Sequence, residues 1–147
     1  LRQWHRHRTW SFNEVSARYA ELPEEFYVPL VEHVGIQSTS NKQMRELAGV
    51  SEENQWFIET LQHHSEIGFK YYKQALGSGI PRELARLFLG LNTYSHMFCT
   101  VDLHNLFHFL RLRLHEHSQY EIRVYAEAML EIIKPIVPVA VEAFEAT

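Results

Sequence analysis

The run Gln3-Trp4-His5-Arg6-His7-Arg8-Thr9-Trp10-Ser11-Phe12-Asn13-Glu14-Val15-Ser16-Ala17-Arg18-Tyr19 gathers arginines, histidines, a carboxylate and hydroxyls into one short segment. A core does not tolerate that density without charged partners, and a solvated surface has no need of it. An arginine fork grips phosphate through two parallel N–H bonds, while glutamine and serine read carbonyl and hydroxyl groups. These types suit an anionic ligand such as a nucleoside phosphate. An arginine-rich strand with surface ion pairs would use the same types, and composition leaves both readings open.

The elements that must position this run follow from periodicity. Residues 2–9 alternate in the manner of an extended strand or tight loop. Ser11 and Glu14 have capping-box spacing, which predicts a short helix over 11–19 with Ser11 as N-cap. Leu22-Pro23 ends it, Phe26 to Pro29 reads as a short extended piece, and 34–50 as a loop with a helical turn. Apolar residues from Trp56 to Leu76 recur at helical intervals, so 52–76 is predicted to be the longest helix, stopped by Gly77-Ser78-Gly79. Pro81 opens a short helix through Leu89 as its first residue. A strand is expected within 93–101, a helix from Leu103 to Leu114, and a last long helix capped by Ser118 and ending before Pro135 and Pro138.

With 147 residues, 46% of them hydrophobic and 22% charged, the chain is expected to be one domain over 1–147 with a sizeable core. A net charge of -4 argues against a nucleic-acid partner, since such domains carry a basic excess over a whole face. The lone Cys99 excludes an intramolecular disulfide and is compatible with a reducing cytoplasm, the expected location. No apolar run is long enough for a helical membrane span, and no membrane partner is expected. Leu1 leads straight into the most chemically dense segment, so an N-terminally truncated domain is expected.

The spacing decides between the two readings of the opening run. Arg6-His7-Arg8, Ser11, Asn13-Glu14, Ser16 and Arg18-Tyr19 match every defined position of RHRxxSxNExSxRY, and the run thereby resembles the flavin-dependent thymidylate synthases. Pro81-Arg82-Glu83-Leu84-Ala85-Arg86 is similar to the family's segment carrying a substrate-binding arginine. His108 to Arg113, with Gln119-Tyr120-Glu121-Ile122-Arg123, is similar to its C-terminal motif. The resemblance implies an α+β fold, a mixed sheet with a helical bundle, lacking its N-terminal part. It also implies conversion of dUMP to dTMP, with methylenetetrahydrofolate as carbon donor and FAD reduced by NADPH, in a homotetramer with active sites at subunit interfaces. Carried over by motif, Gln3, Trp4, His5, Arg6, Glu14, Val15, Ser16, Ala17, Arg18, Arg86 and Arg113 fall at dUMP positions. Arg6, His7, Arg8, Glu14, Asp102, His104 and His108 fall at or near FAD positions. Arg113 is the expected catalytic residue: a guanidinium beside the uracil stabilises the N3-deprotonated ring and pushes electron density toward C5. The alternative for Arg113 is an ion pair with Glu116.

Other readings weigh less. Ser16 lacks a G-x-S-x-G elbow and is assigned to substrate binding, while Cys99 lies in an apolar stretch without an adjacent cation and is assigned to packing. His104 and His108 would share a helix face, yet neither H-E-x-x-H nor E-x-x-H occurs and no metal is expected. No G-x-G-x-x-G follows a strand, so the flavin is not expected in a Rossmann site. Asp102 and His104 stand where the family often has Asn and Arg. The competing functions are a noncatalytic nucleotide-binding module and a helical enzyme using a histidine-bound metal.

Overall fold

The computed structural model describes residues 1–146 except Gln43 and Ala48. The chain divides into two compact units, one made of Leu1–Phe12 and the chain from Cys99 on, the other of Asn13–Phe98. The strands β1 (Ser11–Glu14) and β4 (Met97–Thr100) pair with each other, and each begins in one unit and ends in the other.

The second unit is built on α1 (Glu52–Gly77), the long helix expected from its apolar period. Ser51 caps it by accepting the Asn54 backbone N–H at 3.2 Å, and Glu52 and Glu53 lie in the first turn, where the helix dipole favours negative charge. The buried face includes Ser65, Gly68, Phe69 and Tyr72, and Phe69 and Tyr72 pack with Leu22 and Ala85. The Tyr72 hydroxyl accepts the Leu22 N–H at 3.0 Å, which satisfies a buried donor just before Pro23. Gly68 lets the 3-10 turn at Arg86–Phe88 approach, because a Cβ there would lie 2.7 Å from the Phe88 carbonyl oxygen.

Local structure departs from the sequence expectations at several points. Instead of a helix over 11–19, the chain forms β1 and then a single turn in which the Tyr19 and Ala20 N–H groups reach the Ser16 carbonyl. Pairing with β4 overrides the capping-box pattern, because an extended Ser11–Glu14 satisfies its backbone across a ladder. Residues 2–6 form turns, the tight-loop alternative. The 34–50 loop contains a hairpin in which β2 (Ile36–Gln37) runs antiparallel to β3 (Arg45–Glu46), preceded by a 3-10 turn at Val31–His33. Gly35 enters it at φ 63°, with Glu46 backbone oxygen 2.5 Å from where a Cβ would be. Phe26 is extended, as expected, and bridges Thr93. Pro81 is the N-cap rather than the first residue of α2 (Arg82–Ala85), and a 3-10 turn follows at Arg86–Phe88.

In the first unit, α3 (Leu103–Arg113), α4 (Tyr120–Ile133) and α5 (Pro138–Glu145) form the helical part. Phe109, Leu110, Ile122, Ala126 and Trp10 make its core, with Trp4 stacked on Phe109 at 4.9 Å. Ser118 does not cap α4: its hydroxyl donates to the Leu112 carbonyl at 2.8 Å, closing the end of α3, and Gln119 is the N-cap residue. Pro138 starts α5 as a favoured first-turn proline, where the sequence suggested only a break. The α+β class holds, with strands in two separate two-stranded sheets among the described residues.

Candidate active site

In the first unit, a turn opened by the His5 N–H to Leu1 carbonyl bond presents Arg6 and Arg8 outward and turns His7 inward. His7 is only 7% exposed and lies edge-on to Phe109 at 4.9 Å. Arg113, at the end of α3, donates its Nε–H to His7 Nε2 at 3.2 Å. Burial, then the charges of Arg113 and His108, lower the His7 pKa. Burial and the neighbouring Arg6 lower that of Arg113, which stays protonated at neutral pH. No carboxylate pairs with Arg6, Arg8 or Arg113 among the described residues. The Glu116 alternative for Arg113 is not adopted; Glu116 approaches His117 at 3.6 Å instead. Concentrated positive charge without an internal counterion favours an external anion.

The other predicted residues of this unit take distinct places. Gln3 donates to the Gln119 side chain, while His5 is exposed with its ring against Phe12. Trp4 packs its indole among Trp10, Phe109 and Tyr125, which makes it a wall of the core. Asp102 is the N-cap of α3: its Oδ1 accepts the Asn105 N–H at 3.0 Å and its Oδ2 the Asn105 side-chain amide at 2.6 Å. Those bonds hold its pKa below the usual carboxylate value. His104 and His108 project from α3 as exposed residues, and among the described residues no group of three His, Cys, Asp or Glu could hold a metal. Cys99 packs on the core, and burial raises its pKa.

In the second unit, the Ser16 hydroxyl accepts the Arg18 N–H at 3.3 Å, shaping a turn that carries Ser16, Ala17 and Arg18. Arg18 pairs with Glu83 of α2 at 3.0 Å, and the exposed Arg86 begins the turn directly after α2. Glu14 accepts the Ser95 hydroxyl at 2.6 Å, and the exposed Val15 donates its N–H to the His96 carbonyl. The sequence reasoning missed Glu83, Ser95 and the His7 acceptor, whose partners are remote in sequence. It also missed the Asp102 cap, which Asp-x-x-Asn before an apolar run signals.

The family model described as "Thymidylate synthase complementing protein" matches residues 1–139. The chain is 48% identical over 143 residues to a flavin-dependent thymidylate synthase of Ehrlichia ruminantium (strain Gardel), covering 97% of this chain and 48% of that protein. It is 50% identical over 143 residues to one of Dictyostelium discoideum, covering 97% and 47%. The chain thus spans about half the length of these relatives. Among solved structures, the UMP/dUMP methylase PolB from Streptomyces cacaoi bound with 5-Br UMP superposes with a TM-score of 0.91 at 39% identity, over 99% of this chain and 67% of that one. The complex with 5-Br dUMP gives 0.87 at the same identity, over 99% and 65%. A family match over residues 1–139, running through both units, leads to one conclusion: this chain belongs to the thymidylate synthase complementing protein family.

Proposed function

We propose that the protein carrying this chain is a flavin-dependent thymidylate synthase that methylates dUMP to dTMP with methylenetetrahydrofolate as carbon donor, the two units being parts of one domain. The observation that carries this reading is the part-buried Arg113, with Arg6 beside it and no carboxylate partner among the described residues. Arg113 would sit beside the uracil, stabilise its N3 anion and raise electron density at C5. Arg18 and Arg86, with the Ser16 turn, would take the phosphate. The Arg18–Glu83 pair is exposed on both sides, so a phosphate can replace it at little cost. Gln3, His5, Glu14, Val15 and Ala17 would complete the dUMP contacts, while Trp4 serves the core of the first unit.

The donor set of the first unit fits FAD: Arg6, Arg8, His104 and His108 are exposed cation-capable groups, and Asp102 has both oxygens engaged at the α3 cap. Arg6, Arg8, His104, His108 and, by its motif position, Glu14 would hold the flavin, while the His7 ring is buried and engaged by Arg113. Bound there, the flavin would supply the reducing hydride, with NADPH as its reductant. The protein is proposed to be a cytoplasmic homotetramer. Exposed Leu87, Phe88 and Leu91 near α2, and Ile132, Ile136 and Val139 near α5, offer apolar surface for subunit contacts. Among the described residues no helix is long and apolar enough to cross a membrane.

The test is dTMP formation by the purified full-length protein from dUMP, methylenetetrahydrofolate and NADPH. Yellow protein whose flavin absorbance is quenched by NADPH and returns faster with dUMP supports the enzyme. Colourless protein that binds dUMP without turnover would replace it with a nucleotide-binding module.

A further inference from the structure

His7 stands between two exposed arginines, yet it is turned into the core of the first unit. Its backbone is tied at both sides, the His7 N–H donating to the Trp4 carbonyl at 2.9 Å and the Trp10 N–H to the His7 carbonyl at 3.2 Å. Its ring is held edge-on by Phe109 at 4.9 Å and flanked by Trp10 at 6.3 Å. An imidazole fixed in this way is not free to follow a ligand.

Arginine has only donors, so the 3.2 Å contact between Arg113 Nε and His7 Nε2 requires a lone pair on the imidazole. The tautomer is therefore assigned as neutral with its proton on Nδ1. Arg113 has no other hydrogen bond or ion pair among the described residues, which leaves both Nη groups available as a fork. From these contacts we propose that His7 is a positioning residue: as a neutral acceptor it fixes the plane of the Arg113 guanidinium and aims its Nη edge at the pyrimidine. The aim at a pyrimidine rests on the thymidylate synthase reading; the pairing does not.

Among the described residues, the charged groups that act on this pair are cationic: Arg113 and His108 from α3 on His7, and Arg6 on Arg113, while Phe109 and Trp10 flank the His7 ring. A proton on His7 would replace the acceptor with a donor and add a like charge beside Arg113. The lowered pKa of His7 keeps the acceptor below the ordinary histidine range.

The experiment compares His7→Phe, which keeps a ring but has no acceptor, with His7→Gln, whose side-chain carbonyl reaches about where Nε2 lies. In the full-length protein, nitrogen NMR should show a slowly exchanging Arg113 Nε–H in the wild type and in His7→Gln and lose it in His7→Phe. In the wild type the signal should disappear as pH falls through the His7 titration; in His7→Gln it should persist. Turnover of dUMP by His7→Phe should fall about 10- to 100-fold in kcat/KM, the range for a hydrogen bond to a charged group, with His7→Gln restoring most of it. A wild-type protein lacking a protected, pH-dependent Arg113 Nε–H would overturn the pairing, even if His7→Phe failed to fold. A wild-type signal as expected, together with equal turnover in His7→Phe, would overturn the positioning role. The expected signal in a protein that forms no dTMP would overturn the thymidylate synthase reading and leave the pairing standing.

Discussion

At the level of single residues, two groups at one spot behave in opposite ways. Arg113 keeps its charge although burial and Arg6 both oppose it, whereas His7 gives up its charge to serve as acceptor. Arg113→Ala in the full-length protein is expected to abolish dTMP formation while circular dichroism stays that of the wild type. Near-normal turnover would remove Arg113 from the chemistry. Arg113→Lys should recover little, because an ammonium holds its three donors on one nitrogen, with neither the planar fork nor a separate Nε–H for His7. The motif marked Arg113 and His7 as expected site residues. Their contact was not, since one lies in the opening turn and the other at the end of α3.

The helices were the most legible elements and their ends the least. The α1 period is set by side chains meeting one core, so it can be read from sequence. Removing its cap with Ser51→Ala should cost about 1 kcal/mol in urea unfolding, as N-caps do. Gly68→Ala would set a methyl 2.7 Å from the Phe88 carbonyl oxygen. The turn after α2, which carries Arg86, would have to move. We expect a loss of about 1–3 kcal/mol, typical of overpacking, and a larger rise in the KM for dUMP than in Ser51→Ala. A substitution that left both stability and KM unchanged would show that the turn is not held by this contact. The segment 11–19 was misread because Ser11 and Glu14 satisfy a local capping rule, whereas a strand partner far along the chain offers Ser11–Glu14 a full ladder.

For the whole molecule, the linkage between protons and folding is set in part by His7. Its native pKa lies below the ordinary value of 6.5, so between the two the unfolded chain binds a proton that the native state refuses. The contribution of His7 is fully present above pH 6.5 and is lost as pH falls toward the native value. Thermal melts should therefore show Tm dropping below pH 6.5, and His7→Phe should flatten that part of the curve. An identical acid slope in the variant would assign the loss to other groups. Light scattering of the full-length protein is expected to give a tetramer. A monomer at micromolar concentration would remove the shared-site arrangement and leave the exposed apolar residues near α2 and α5 without that explanation.

By itself the sequence determined the chemistry on offer and most of the helical frame: arginines spaced for an anion, the signature from Arg6 to Tyr19, and the apolar period of α1. These are legible because each depends on residues near one another in the chain. Only the tertiary structure decided what the opening run is made of. It is a turn, one of the two forms left open for residues 2–9, followed by a strand rather than the helix expected over 11–19, with His7 buried as a partner for Arg113, Trp4 given to the core and Asp102 given to a helix cap. The physical reason is that hydrogen-bond partners, aromatic packing and proton affinity depend on groups that only folding brings together.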